Sequence, residues 1–116
     1  MSRLTLQILE PNELDPWREA RHAPEVSISY PLDDQGHQRF TIDHGADYEG
    51  FFSRRGDARF LIASDDEAGL LGTMAGCWHK AQLGDRALKA LYLGDLKLSP
   101  SARGQRLVHK MAAYAL

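Results

Sequence analysis

Apolar and polar residues alternate at the start of the chain, and the repeat then lengthens. Residues 4–9 place apolar side chains at every second position, which is the spacing of a strand with one buried face. After a break at 10–12, apolar residues recur at helical spacing: Leu14, Trp17 and Ala20. Asn12 or Asp15 is suited to cap such a helix, with Pro16 in its first turn. We therefore predict a first strand followed by a short helix.

The stretch 23–44 shows neither a helical nor a strand repeat. It contains Pro24, Pro31 and Gly36, which interrupt regular structure. We predict a long irregular segment, and segments of this length are either functional or cover a core. Four of its side chains are candidates for lining a binding cleft: Tyr30, His37, Phe40 and His44. The alternative is an ordinary packed loop.

Periodicity returns after Gly45. Tyr48, Phe51 and Phe52 form an apolar helical stripe, and we expect Gly56 to end this second helix in a left-handed conformation. Three consecutive strands are predicted next, at 59–63, 70–80 and 87–98. The turns that join these strands are predicted at 64–68 and 83–86.

The second of these strands is interrupted by two glycines. Gly72 and Gly76 indicate a bulge or a close approach by another backbone. Further along, apolar residues recur at helical spacing from Leu107 to Ala115, which predicts a third helix from about Gly104 to the last residue. The predicted order is strand, helix, helix, three strands and helix.

The composition fits one globular domain, which we assign to 1–116. The chain has 116 residues, of which 43% are hydrophobic. The net charge of −2 gives no general attraction to nucleic acid, and no apolar run approaches the roughly 20 residues of a membrane helix. Cys77 is the only cysteine, which excludes an intrachain disulfide and a multi-cysteine zinc site. The first residues lack a signal-peptide pattern, so we expect a cytoplasmic protein.

A candidate anion site lies between the last strand and the last helix. The strand ends at Leu98, a turn follows at Pro100, and the helix starts near Gly104. The first amides of a helix have no partner within the helix, and the helix dipole adds positive potential there. Because Arg103 and Arg106 add positive charge, a diphosphate is the natural occupant.

The same segment, LKLSPSARGQRL at 96–107, resembles the pyrophosphate loop of the GNAT superfamily of acyl-CoA-dependent N-acyltransferases. The family pattern is Leu/Ile-x-Val-x-Pro, a short spacer and Gln/Arg-x-x-Gly-x-Gly/Ala. The residues that match at the family spacing are Leu96, Leu98, Pro100, Arg103 and Gly104. The predicted order of elements also agrees with the family.

The resemblance implies a fold and a co-substrate. The fold class is α/β with α and β layers, in which helices flank a mixed, mostly antiparallel sheet. The co-substrate is acetyl-CoA or another acyl-CoA, and no metal is implied. Pyrophosphate would bind amides from Gly104 to Val108 and pantetheine would pair with the last strand. The implied cofactor-binding residues are Leu96, Lys97, Leu98, Arg103, Gly104, Gln105, Arg106, Leu107 and Val108.

Two positions depart from the family pattern. Arg106 stands where a glycine usually lets the backbone approach phosphate, and Val108 stands where glycine or alanine is usual. Arg106 either reaches a phosphate oxygen with its side chain or is a solvent-facing helix residue. The family fold also has a fifth strand and a fourth helix after the third helix. By the resemblance, these 116 residues are the N-terminal portion of the fold.

Candidate catalytic residues lie in the signature strand. Transfer to an amine needs a base for the ammonium proton and an acid for the departing thiolate. Asp95 interrupts an apolar run, and since the family often supplies a base from this strand, it is the first candidate. The alternative is a structural ion pair. Tyr92 is the second candidate, with a core or cleft-wall role as its alternative. Tyr114, on the third helix, does not correspond to the family's usual acid.

Other chemistry-bearing residues are interpreted as structural. Cys77 and His79 share a strand face, but no third group is placed to orient a thiol–imidazole pair. The five histidines have no metal-ligand spacing. We interpret the acidic run at 65–67 as a solvated turn. Trp17 and Trp78 are predicted to be core residues.

The sequence therefore predicts an N-acyltransferase, most simply an acetyltransferase, acting on a primary amine of a small molecule or peptide by direct attack. One alternative is a non-catalytic GNAT-like module with a degenerate loop. A second is a domain that binds another phosphate or nucleotide at the same helix start. An exposed signature strand would pair readily, so we expect a homo-oligomer or completion by a C-terminal segment. Neither a nucleic acid nor a membrane partner is expected.

Overall fold

A computed structural model describes residues 3–27, 29–45, 47–102 and 106–115. The strands are β1 (Leu4–Leu9), β2 (Tyr30–Pro31), β3 (Arg39–Phe40), β4 (Asp57–Asp65), β5 (Gly69–Leu83) and β6 (Arg86–Leu98). The helices are α1 (Arg18–Ser27), α2 (Tyr48–Ser53) and α3 (Leu107–Ala115). Short 3₁₀ turns lie at Pro11–Glu13, Asp15–Trp17 and Pro100–Ala102.

The main sheet is antiparallel throughout its described part. Its strand order is β1-β4-β5-β6, and β2 pairs with β3 in a small separate sheet. β1 lies beside β4, with Leu4 opposite Asp65 and Leu9 opposite Phe60. The molecule is therefore a mixed α+β fold with an antiparallel sheet and helices on its faces, and the predicted fold class is confirmed.

Hydrophobic cores cover both faces of the sheet because side chains alternate along each strand. On β4, Phe60 and Ile62 enter a core with Tyr48 and Phe52 of α2. The intervening β4 residues enter the opposite core, which contains Leu61, Ala63, Met74, Leu107 and Met111. The helices α2 and α3 thus lie on opposite faces, and β6 at the sheet edge is accessible from both.

The end of α2 differs from the prediction. Asp47 caps the start of the helix by accepting a hydrogen bond from the Gly50 amide at 3.0 Å. Gly56 does not adopt a positive φ, so the predicted left-handed stop is wrong. A Cβ at Gly56 would lie 2.2 Å from the Trp78 carbonyl oxygen. Glycine is required there because the chain passes close to β5.

Predicted elements are largely present, with shifted boundaries. The first strand is confirmed, whereas α1 starts later than predicted and extends to Ser27, inside the segment predicted to be irregular. α3 begins at Leu107 rather than near Gly104. Trp17 packs against the first core, but Trp78 is 38% exposed, so its assignment to the core is wrong. Among the described residues, no helix combines the length and apolarity that crossing a membrane requires.

Candidate functional site

The strand β6 contains a bulge at Asp95. Thr73 of β5 pairs with Lys97 and Ala75 pairs with Gly94. Two residues of β6 therefore lie opposite the single residue between Thr73 and Ala75. Asp95 adopts a φ of 51°, a left-handed conformation that costs most residues about 1–2 kcal/mol and that aspartate adopts more readily. Bulges of this kind change which face a side chain points to.

The bulge brings Tyr92 and Lys97 to the same face of the sheet. Residues five apart on a regular strand point to opposite faces, but the extra residue reverses this relation. Tyr92 lies opposite Cys77, and Lys97 lies opposite Thr73. Thr73 and Cys77 are four residues apart on β5, so their side chains share one face of the sheet. This is the face that packs against α1 and α2. The predicted catalytic strand therefore presents several polar groups on one face.

Asp95 is the centre of a buried polar network. Its Oδ2 accepts a hydrogen bond from the Tyr48 hydroxyl at 2.5 Å, and its Oδ1 accepts one from the Lys97 ammonium. The side chains of Lys97 and Asp95 are 4% and 9% exposed. The guanidinium of the buried Arg21 lies 3.7 Å from the centre of the Tyr48 ring. The structural ion pair that the sequence offered as the alternative for Asp95 is present.

An aromatic cavity adjoins this network on the α2 face. It has a volume of about 320 Å³, and its lining residues are Tyr30, Ile42, His44, Phe51, Phe52, Arg55, Tyr92, Asp95 and Leu96. Both candidate catalytic residues, Asp95 and Tyr92, therefore line one cavity. Tyr30 and His44 from the long segment also line it, whereas His37 does not, and Phe40 instead packs on the Tyr30 ring at 5.3 Å.

Arg55 is a residue of this cavity that the sequence reasoning missed. Its guanidinium carbon lies 5.1 Å from the centre of the Tyr92 ring and 5.9 Å from that of Phe51. Both distances are within the range of cation–π attraction. A signal was available, because Arg55 follows Phe51 by four positions and would share a helix face with it. The partner Tyr92, on a distant strand, had no such signal.

The candidate cofactor residues of β6 have different surroundings. The side chain of Lys97 is buried in its ion pair, and Leu98 packs against the core beneath α3. Leu96 is exposed and lines the aromatic cavity. β6 is at the end of the strand order, and its outer edge pairs with no other described strand. Contacts of a ligand at Lys97 and Leu98 would therefore use the main chain.

The start of α3 is described only from Arg106 onward. Arg103, Gly104 and Gln105, three of the predicted cofactor residues, lie outside the described residues. Arg106 has a φ of 58° and precedes the helix, so the prediction that it is a helix residue is wrong. Its side chain is exposed and accessible to a ligand. Leu107 is buried in the core and Val108 is half-buried, so both offer mainly their amides.

No family model matches the chain, and no curated protein matches it. Among solved structures it is similar to one described as "Putative acetyl transferase from Pyrococcus furiosus". The TM-score is 0.52 with 19% sequence identity, over 96% of this chain and 72% of that chain. The fold is acetyltransferase-like. At this identity the similarity establishes the fold alone, and activity has to be argued from the site.

Three further polar residues, Arg18, Cys77 and His79, are not among those that line the aromatic cavity. The hydrogen bond to Asp15 and the charge of Glu49 raise the pKa of the Arg18 guanidinium above its ordinary value. Cys77 is buried, with its Sγ 3.5 Å from the Phe52 carbonyl oxygen, while His79 is exposed. Within the described ranges, no group of three or more His, Cys, Asp or Glu side chains is arranged to hold a metal ion.

Proposed function

We propose that the chain functions as an N-acyltransferase that moves an acyl group, most simply acetyl, from acyl-CoA to a primary amine. The observation that carries the proposal is the bulged edge strand β6 beside a cavity lined by Asp95 and Tyr92, in an acetyltransferase-like fold. The bulge directs polar side chains into the cavity, while the outer main chain of β6 stays unpaired with any other described strand.

The acyl-CoA would lie along the edge of β6 and across the start of α3. The main chain at 96–98 would pair with pantetheine, as the next strand of a sheet would. Arg106 and the first amides of α3 would receive the pyrophosphate, since these amides have no partner within the helix. Arg103 and Gly104 are proposed to contact the pyrophosphate on their sequence match alone, and Gln105 because it lies between Gly104 and Arg106 in the sequence.

The reaction would proceed by direct attack. The acceptor ammonium loses a proton, its nitrogen bonds to the thioester carbonyl carbon, and the carbon–sulfur bond breaks as CoA leaves and takes up a proton. Asp95 is the proposed base, acting directly or through water when an acceptor exchanges with one of its two present hydrogen bonds. Tyr92, which is 42% exposed on the cavity rim, is the second candidate for proton transfer.

A GNAT-like binding module without turnover is the second candidate function. The observation that favours it is that both carboxylate oxygens of Asp95 already accept hydrogen bonds within the fold. Such a carboxylate is held in its charged form by the Tyr48 hydroxyl and the Lys97 ammonium, and its role is then to hold the bulge in place.

Amine-dependent release of CoA thiol separates the two functions. The enzyme hypothesis predicts thiol release from acetyl-CoA in the presence of a panel of primary amines. Asp95→Asn, in protein that circular dichroism shows to be folded, should slow the release by about a hundredfold or more, the usual contribution of a general base. Asp85→Asn, in the exposed turn between β5 and β6, is the matched control. Binding of acetyl-CoA without thiol release for any amine would favour the binding module.

A further inference from the structure

The aromatic cavity is lined by a cation, Arg55, that has no acidic partner among the residues the structure describes. Arg55 makes no ion pair and no side-chain hydrogen bond within the described part of the chain. By contrast its neighbour Arg54 is paired with Asp47 at 3.2 Å, outside the cavity. The guanidinium of Arg55 lies against the rings of Tyr92 and Phe51. This position leaves its N–H groups available to an anion.

The two other cations near the cavity, Lys97 and Arg21, already have partners. The Lys97 ammonium is bound to Asp95, and Arg21 lies behind the Tyr48 ring rather than in the lining. One available guanidinium beside a carboxylate suits an anion with a single charge better than a phosphate dianion. The planar fork of arginine matches a carboxylate with two parallel hydrogen bonds. The anionic group of the ligand is thus a carboxylate.

Five of the lining residues carry flat rings: Tyr30, His44, Phe51, Phe52 and Tyr92. The His44 ring contacts the rings of Phe51 and Phe52 with centroid distances of 4.7 and 5.4 Å. Tyr30 and Ile42 complete this wall of the cavity. Aromatic walls of this kind favour ring-bearing ligands through stacked and edge-to-face contacts. The volume of about 320 Å³ is enough for a compound of the size of an amino acid.

We infer that the acceptor is a primary amine that carries both a carboxylate and an aromatic or similarly flat apolar group, with Arg55 binding the carboxylate. That the bound amine is an acyl acceptor rests on the proposed function. That it binds does not, because Arg55 and the rings form the cavity without an acyl donor. Arg55 is then a residue that determines acceptor specificity.

The first test is calorimetric binding to the 116-residue chain without an acyl donor. The probes are L-phenylalanine, 2-phenylethylamine, which lacks the carboxylate, and L-alanine, which lacks the ring. We expect L-phenylalanine to bind about tenfold or more tightly than 2-phenylethylamine, the usual gain from a charge-assisted hydrogen bond. It should also bind more tightly than L-alanine, which has no ring to contact the aromatic wall. Arg55→Met keeps an apolar chain over the rings and should abolish the preference over 2-phenylethylamine. Arg54→Ala should retain it.

The inference is overturned if 2-phenylethylamine binds as tightly as L-phenylalanine, or if Arg55→Met and Arg54→Ala behave alike. A second arm adds acetyl-CoA and measures thiol release with the same three amines. Preferential transfer to L-phenylalanine that Arg55→Met removes supports both proposals. Arg55-dependent binding of L-phenylalanine without any transfer upholds the ligand site while the acyltransferase proposal fails.

Discussion

At the scale of single residues, the charge of Lys97 has the largest consequence for stability. Its side chain is 4% exposed and its ammonium binds Asp95. Removing one partner of a buried ion pair leaves the other charge without compensation, which costs about 3–5 kcal/mol. Lys97→Met should therefore lower the free energy of unfolding by several kcal/mol, as measured by urea denaturation.

The matched control is Lys110→Met, at an exposed position of α3. It should change the free energy of unfolding by less than about 0.5 kcal/mol, as surface substitutions do. Asp95→Asn combined with Lys97→Met should recover part of the loss because the buried carboxylate is then neutral. Equal effects of the two lysine substitutions would contradict the buried network.

The sequence predicted functional residues only where a local pattern marked them. Asp95 was recognised because a charge interrupts an apolar strand, and Tyr92 because it lies nearby. The hydrogen bond from Tyr48 to Asp95 spans 47 positions along the chain. No local spacing encodes such a contact, and it determines whether Asp95 acts as a base or as a structural anion. Arg55 was missed because its partner Tyr92 is similarly distant.

At the scale of elements, Gly56 fixes how α2 passes onto the sheet. A Cβ there would meet the Trp78 carbonyl oxygen at 2.2 Å, and backbone cannot move aside as a side chain can. Gly56→Ala should destabilise the fold by about 1–3 kcal/mol, the usual cost of overpacking, and should lower the melting temperature. The control is Gly76→Ala, whose Cβ would first meet a flexible end of Leu93 at 3.4 Å. Equal melting temperatures for the two variants would refute this account of the junction.

The types of the elements followed from periodicity, whereas the bulge at Asp95 did not. The glycines of β5 predicted a bulge or a close approach. Both are present at Gly72: a Cβ there would lie 3.2 Å from the Lys97 carbonyl oxygen, and Leu71 is an extra residue of β5 because Gly72 pairs with Ala63 and Leu70 with Ser64. A second bulge lies on the partner strand β6, at Asp95. Which strand of a pair carries an extra residue depends on how both strands align with each other. The sequence pattern of one strand alone does not determine this alignment.

At the scale of the whole molecule, the edge of the sheet is the dominant feature. β4 begins at Asp57, opposite Trp78, so β5 and β6 beyond that point pair only with each other among the described strands. An apolar groove of about 160 Å³ lies beside them and includes Leu91 and Leu93. Long exposed edges and apolar grooves promote association. The predicted homo-oligomer, or completion by a further segment, remains a proposal.

Pairing of a second copy of the chain along this edge can be measured. Light scattering coupled to size-exclusion chromatography should give a dimer mass that falls toward the monomer on dilution. Leu93→Lys should weaken the dimer because it places a charge in the groove, whereas Leu32→Lys, at an exposed position of the loop between β2 and β3, should leave it unchanged. A monomer at every concentration tested would contradict the prediction.

We propose that this acetyltransferase-like fold binds an acyl-CoA along β6 and the start of α3. Titration calorimetry of the 116-residue chain with acetyl-CoA tests it most directly. The account predicts saturable binding that Arg106→Ala weakens by about tenfold, the usual value of one charge-assisted phosphate contact. Lys110→Ala, one turn further along α3 and exposed, should leave the affinity unchanged. Absence of binding by a chain that circular dichroism shows to be folded would contradict the claim.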